Sequence, residues 1–158
     1  WIDGNLRVIS DIRPLCSGNP HKVYDHMKVV DKRNCIYEEA AFILNAGERN
    51  YKERPDRGML CWKDNPSLIK KQINKYISKG YPRNNGLATN PILVRDHNNP
   101  EVIKNMEDWW EEIKYFSKRD QLSFNYIAWK NKYNFSYLEG DSRNNKYFIS
   151  MGKHKGKK

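Results

Sequence analysis

Four short polar stretches carry the side chains able to do chemistry in this chain. They are Asp3-Gly4-Asn5, Arg83-Asn84-Asn85-Gly86, Arg119-Asp120-Gln121 and Lys153-His154-Lys155. Asp3 and Asn5 offer hard oxygen ligands of the kind that suit Mg²⁺ or Mn²⁺, and the intervening Gly lets backbone come close to a phosphate. Asn5 is a poorer ligand than a carboxylate, so Asp3 is the stronger candidate. The 83–86 loop and the 119–121 stretch supply amides, a carboxylate and guanidinium groups, which suit sugar hydroxyls and anions. His154 adds an imidazole, and Lys155 a cation for phosphate. Together these groups are the inventory of a nucleotide-sugar site, although each triplet alone is an ordinary turn sequence.

Such groups need elements to position them. Trp1-Ile2 reads as the end of a buried strand that turns at Asp3-Gly4-Asn5, followed by the apolar run from Leu6 to Ile9. A helical turn over Asp11 to Leu15 and a strand at Met27 to Val30 come next. Asn34 is placed to cap a helix whose face is Tyr37, Ala40, Ala41 and Leu44 and which ends near Gly47, with Glu38 and Glu39 in its first turn. Residues 48–64 read as a long loop or a short extra helix. Asn65-Pro66 opens a second helix with Leu68, Ile69, Ile73, Tyr76 and Ile77 inward, lysines and a Gln outward, and Gly80 as its stop. Ile92 to Arg95 is a buried strand. The longest helix follows from Asn99-Pro100, its core stripe being Val102, Ile103, Met106, Trp109, Trp110, Ile113 and Phe116. Another runs from Asp120 to about Lys132, with Leu122, Tyr126, Ile127 and Trp129 buried, and Phe135 to Leu138 closes as a strand. Strands alternating with helices predict an α/β fold with a mixed sheet. In an open sheet of this kind the polar stretches belong at the carboxyl ends of strands.

Composition bounds the function. The 158 residues include 13% aromatics despite 30% charged residues, which argues for a folded domain with a polar surface. Mean hydropathy is -0.97, and no apolar run is long enough to span a bilayer. Cys16, Cys35 and Cys61 are odd in number and form no CxxC pair, so reduced thiols and a cytoplasmic setting are expected. The net charge of +10 raises nucleic acid as a partner, but four lysines sit at positions 153, 155, 157 and 158, a basic tail of residues 153–158. The remaining aromatics fall largely on apolar helix faces. No specific nucleic acid is therefore expected, and a basic, non-catalytic module for nucleic acid or an anionic polysaccharide is the alternative reading.

The strings WIDGN, RNCIYEEA, KKQINKYISKGYPRNNGL, EDWWEEI and KRDQLSFNYIAWK together resemble the TOD/MUCI-type glycosyltransferase-like domain family, over nearly the whole chain. The resemblance implies a GT-A-like mixed sheet flanked by helices over residues 1–152 and a metal-assisted transfer of a sugar from a nucleotide-sugar donor to a glycan or other hydroxyl acceptor. It also implies Mn²⁺ or Mg²⁺ held by Asp3, Asn5 and His154. Asp120 and Gln121 take catalytic roles by loose likeness to glycogenin-like enzymes, while Arg33, Glu38, Asn84, Asn85, Gly86, Arg119 and Lys155 bind substrate. Where such relatives more often have Arg-Asp-Cys, this chain has Arg33-Asn34-Cys35. The nucleotide-binding βα units that precede the metal motif in GT-A domains do not precede WIDGN, and are expected in an upstream segment of the parent protein.

Overall fold

The computed structural model describes residues 2, 6–16, 21–24, 35–138 and 140–152. The fold is mixed α/β, as the alternation of patterns predicts, and the chain divides into two units.

The sheet unit draws on Trp1–Val29, Ala88–Lys104 and Asn134–Lys158. Strand β1 (Leu6–Val8) pairs antiparallel with β5 (Phe148–Ser150), Leu6 opposite Ser150. A three-stranded sheet has β2 (His21–Tyr24) in the middle, antiparallel to β3 (Ile92–Arg95) and parallel to β4 (Ser136–Tyr137). It is therefore mixed. Ile2 bridges Ile92, and Ile92 lies in a small core with Leu15, Tyr147 and Phe148, against which Ile2, Leu6, Ile12, Val94 and Leu138 pack. The turn at Arg13–Cys16 is 3-10. The strand expected at Met27 to Val30 falls outside the described residues; β2 precedes it in sequence.

The helical unit contains Val30–Leu87 and Asn105–Tyr133. Helix α1 (Ile36–Glu53) differs from the sequence reading at both ends. Its N-cap is Cys35, with no side-chain cap bond, and Asn34 is outside the described residues. It runs on past Gly47, because this Gly is an interior contact: a Cβ there would come 2.0 Å from Trp62 Cδ1. The buried face is accordingly Ile36, Ala40, Ile43 and Gly47, with Ala41 exposed. A 3-10 segment, Pro55–Cys61, follows where a loop or short helix was expected.

Helix α2 (Pro66–Ser78) starts and stops where its sequence says. Asn65 Oδ1 accepts from the Ser67 N–H at 2.9 Å, and Pro66 occupies the first turn. At the other end Gly80 has φ 72°, the Gly80 N–H reaches the Ile77 carbonyl and the Tyr81 N–H reaches that of Tyr76, each at 3.0 Å. This double bond pattern closes the helix through a left-handed Gly. Gln72, expected on the outer face, is instead fully buried.

Helix α3 (Pro100–Tyr115) is capped by Asn99 Oδ1, which accepts from the Glu101 and Val102 N–H groups. At 16 residues it is shorter than the 18 of α1. Its inward residues are Val102, Asn105, Trp109 and Glu112, while Ile103 and Trp110 are exposed. Adjacent helical residues lie about 100° apart, so Trp109 and Trp110 cannot both face one core. The final helical stretch is split: a 3-10 turn at Asp120–Leu122, then α4 (Phe124–Lys130), whose residues 124–128 are all buried.

Candidate functional site

Two of the four polar stretches lie among the described residues, and both are in the helical unit rather than at strand ends. The 83–86 loop follows α2, and the 119–121 stretch joins α3 to α4. Local capping places them: the left-handed Gly80 throws the chain off α2, and the break at Ser117 ends α3.

The loop is hung on Tyr81, which is buried. Its carbonyl accepts from the Tyr37 hydroxyl of α1 at 2.8 Å, and its ring meets Tyr126 and Trp129 of α4 edge-on, with centroids 5.6 and 5.4 Å away. Tyr126 in turn stacks on Tyr76 at 3.8 Å. From this anchor Asn85 Nδ2 donates to Tyr81 Oη at 3.3 Å, and the Asn85 carbonyl accepts from Asn125 Nδ2 at 3.1 Å. Gly86 is buried with φ 73°, a conformation for which Gly is the natural residue. Arg83 and Asn84 are left exposed. Burial raises the pKa of the Tyr37 hydroxyl, Cys35 adds to the rise, and the charge of Arg83 opposes it, so the guanidinium acts on the first turn of α1. Glu38, also in that turn, is exposed.

The second stretch is pinned from below. Asp64 Oδ2 accepts from Ser117 Oγ and from the Lys118 N–H, each at 2.7 Å, and Ser117 Oγ accepts from the Arg119 N–H at 3.1 Å. Burial alone would raise the Asp64 carboxyl. The bonds from Ser117, Asn65 and Lys118 together hold it below the ordinary carboxylate value. On the far side, Ser123 Oγ donates to the Asp120 carbonyl at 3.1 Å and accepts from Trp109 Nε1 at 3.0 Å. Helix α1 packs against the 120–122 turn. Arg119, Asp120 and Gln121 are all half-buried; Arg119 Nη2 reaches Gln121 Oε1 at 3.4 Å, and its buried Nε has no protein partner. Arg119, not Asp120, occupies the N-cap position of the turn.

Glu38, Asn84, Asn85, Gly86, Arg119, Asp120 and Gln121 are thus brought into one unit and supported by α1 and α4. Asp3, Asn5, Arg33, His154 and Lys155 lie outside the described residues. Among the described residues, no group of three or more His, Cys, Asp or Glu side chains can hold a metal ion. Sequence reasoning missed Asn125, the buried amide that fixes the Asn85 carbonyl. Its signal was present, as a lone amide inside the apolar run Phe124 to Ala128.

A family model, the TOD1/MUCI70, glycosyltransferase-like domain, matches residues 1–151. The chain belongs to this family. No curated protein and no solved structure matches the chain. Family membership extends from the sheet unit through the helical unit, so both the 83–86 and 119–121 stretches fall within the domain that the family defines. Among the described residues no helix is long and apolar enough to cross a membrane.

Proposed function

We propose that this domain transfers a sugar from a nucleotide-sugar donor to a hydroxyl of a glycan or another acceptor. The observation that carries the reading is the family match over residues 1–151. The chemistry of the two anchored stretches supports it. Asp120 and Gln121 present a carboxylate and an amide from a turn whose backbone is held at both ends, so they can meet sugar hydroxyls with little reorganisation. Arg119 supplies a cation beside them. Asn84, Asn85 and Gly86 offer amide groups and close backbone approach, with Glu38 on the α1 side; Arg33 and Lys155 are further proposed substrate contacts. Asp3, Asn5 and His154 would hold Mn²⁺ or Mg²⁺. Such an ion, when bound, neutralises the diphosphate as it leaves.

The Asp120→Asn variant tests this reading within the parent protein. Transfer, measured as nucleoside diphosphate release in the presence of acceptor, should fall about ten- to a hundredfold, the equivalent of one lost hydrogen bond to a charged group. The melting temperature should stay nearly the same, because Asn keeps the size and a hydrogen-bond-accepting oxygen of Asp120. Unchanged transfer would remove Asp120 from the site.

One observation favours the second reading, a non-catalytic binding module. Trp110 and Tyr115 are exposed on α3, and Lys114 Nζ sits 5.0 Å from the Tyr115 ring. Aromatics beside a cation suit stacking on bases or sugars. Glu107 and Glu111 on the same helix are also exposed, which weakens it for a polyanion. Salt-sensitive oligonucleotide binding that ignores nucleotide sugars and Mn²⁺ would favour this module.

A further inference from the structure

A polar hollow of about 270 Å³ opens at the C-terminal end of α1, lined by Asn50, Glu53, Arg54, Arg57, Leu60 and Cys61. None of these residues belongs to the stretches assigned above. Its walls are fixed by their own bonds. Asn50 Nδ2 donates to the Cys61 carbonyl at 3.2 Å, Cys61 Sγ donates to the Arg54 carbonyl at 3.4 Å, and the Arg54 N–H closes on the Asn50 carbonyl at 2.9 Å. Between Arg57 and Leu60 the backbone passes through Gly58 at φ 51° and ψ -130°, a conformation essentially reserved for Gly. That kink interrupts the 3-10 segment and leaves Leu60 77% exposed at the rim.

Among the described residues the side chains of Glu53, Arg54 and Arg57 have no hydrogen-bond or ion-pair partner. Elsewhere on the surface short-range pairs are made readily, as Arg13 does with Asp11 and Arg143 with Asp141. The two arginines of the hollow's lining carry guanidinium forks, groups suited to a phosphate or carboxylate through paired charge-assisted bonds. Glu53 and the Asn50 amide oxygen can only accept, so the rest of the ligand must donate, as hydroxyls do. The volume is near the lower end of small-molecule sites, about 300–1,000 Å³, and suits one sugar unit rather than a polymer chain.

We infer that this hollow binds a small hydroxylated anion, a sugar bearing either a phosphate or a carboxylate. The inference stands apart from the transferase reading, because binding here is measured without turnover. Calorimetric titrations of the whole domain with glucose 1-phosphate, glucuronate, glucose and inorganic phosphate test it. One of the two anionic sugars should bind at least about tenfold more tightly than glucose and than inorganic phosphate, and which one does so identifies the anion. Arg57→Ala should weaken that ligand about ten- to a hundredfold. Arg57→Lys keeps the charge, loses the fork and should fall between, and it serves equally if the alanine variant does not fold. Melting temperature should be unmoved by the lysine variant. The inference is overturned if glucose or inorganic phosphate binds as well as the anionic sugars, or if both Arg57 variants bind like the wild type.

Discussion

In the interior of the helical unit, Gln72 Nε2 donates to Tyr76 Oη at 2.8 Å, Tyr76 Oη donates to Glu112 Oε1 at 2.9 Å, and Lys75 Nζ meets Glu112 Oε2 at 2.6 Å. Along 83–86 and 119–121 the same residue types, amides, a carboxylate and cations, are held mainly by backbone bonds, with side chains half-buried or exposed. The first region turns most of its polar atoms on itself, with Gln72 Oε1 buried and unpartnered; the second keeps its polar side chains at or near the surface. Burial within a side-chain hydrogen-bond network, not polarity, separates a structural cluster from a candidate site. The inner network is also electrostatically committed. Burial, with Glu112 next to it, pushes the Tyr76 hydroxyl far above its ordinary pKa, so it stays a donor.

The largest effect should come from breaking the inner network. Glu112 is buried and Lys75 is 33% exposed in its side chain, so Glu112→Ala strands a partly shielded cation and the Tyr76 hydroxyl. The cost should be about 3 kcal/mol, the low end for removing one partner of a buried pair. The exposed Asn84→Ala should change stability by less than about 0.5 kcal/mol. Urea denaturation of the two variants checks the contrast, and equal losses would erase the distinction between the regions.

A smaller effect concerns the support of the second region. Because the folded Asp64 carboxyl titrates below its ordinary value, its contribution is fully present above about pH 4, the unfolded value, and is lost as pH falls through the folded one. Stability of the wild type should therefore decline with acid more steeply than that of Asp64→Asn. Parallel acid profiles would show that the bonds from Ser117 and Lys118 do not depend on the charge.

Features set by a few neighbouring residues were legible in the sequence. Asn65-Pro66 and Gly80 bound α2 because a cap and a left-handed Gly act locally, and the Ile92–Arg95 strand follows from its apolar run. Gln72 and Glu112 were misplaced or unnoticed because what allows them inside is a partner far along the chain: Tyr76 and Glu112 are 36 positions apart. Gly47 read as a helix stop for the same reason, since Trp62 is what requires it. Within the candidate site, the polar stretches themselves were readable as turns, but their placement was not. They were expected at the carboxyl ends of strands, whereas the 83–86 loop follows α2 and is tied to α1 and α4 by Tyr37, Tyr81 and Asn125, and the 119–121 stretch joins α3 to α4, held by bonds to Asp64 and Ser123. Those ties depend on side chains meeting across the unit.

The most direct measurement is a set of ¹H–¹⁵N spectra of the labelled domain, titrated with a panel of uridine and guanosine diphosphate sugars in Mg²⁺. One donor should shift the amides of Arg83 to Gly86 and of Arg119 to Gln121, while Gln72, Tyr76 and Glu112 stay in place. Shifts absent from both stretches with every donor, or produced there only by an oligonucleotide, would contradict a sugar-transfer role for this surface.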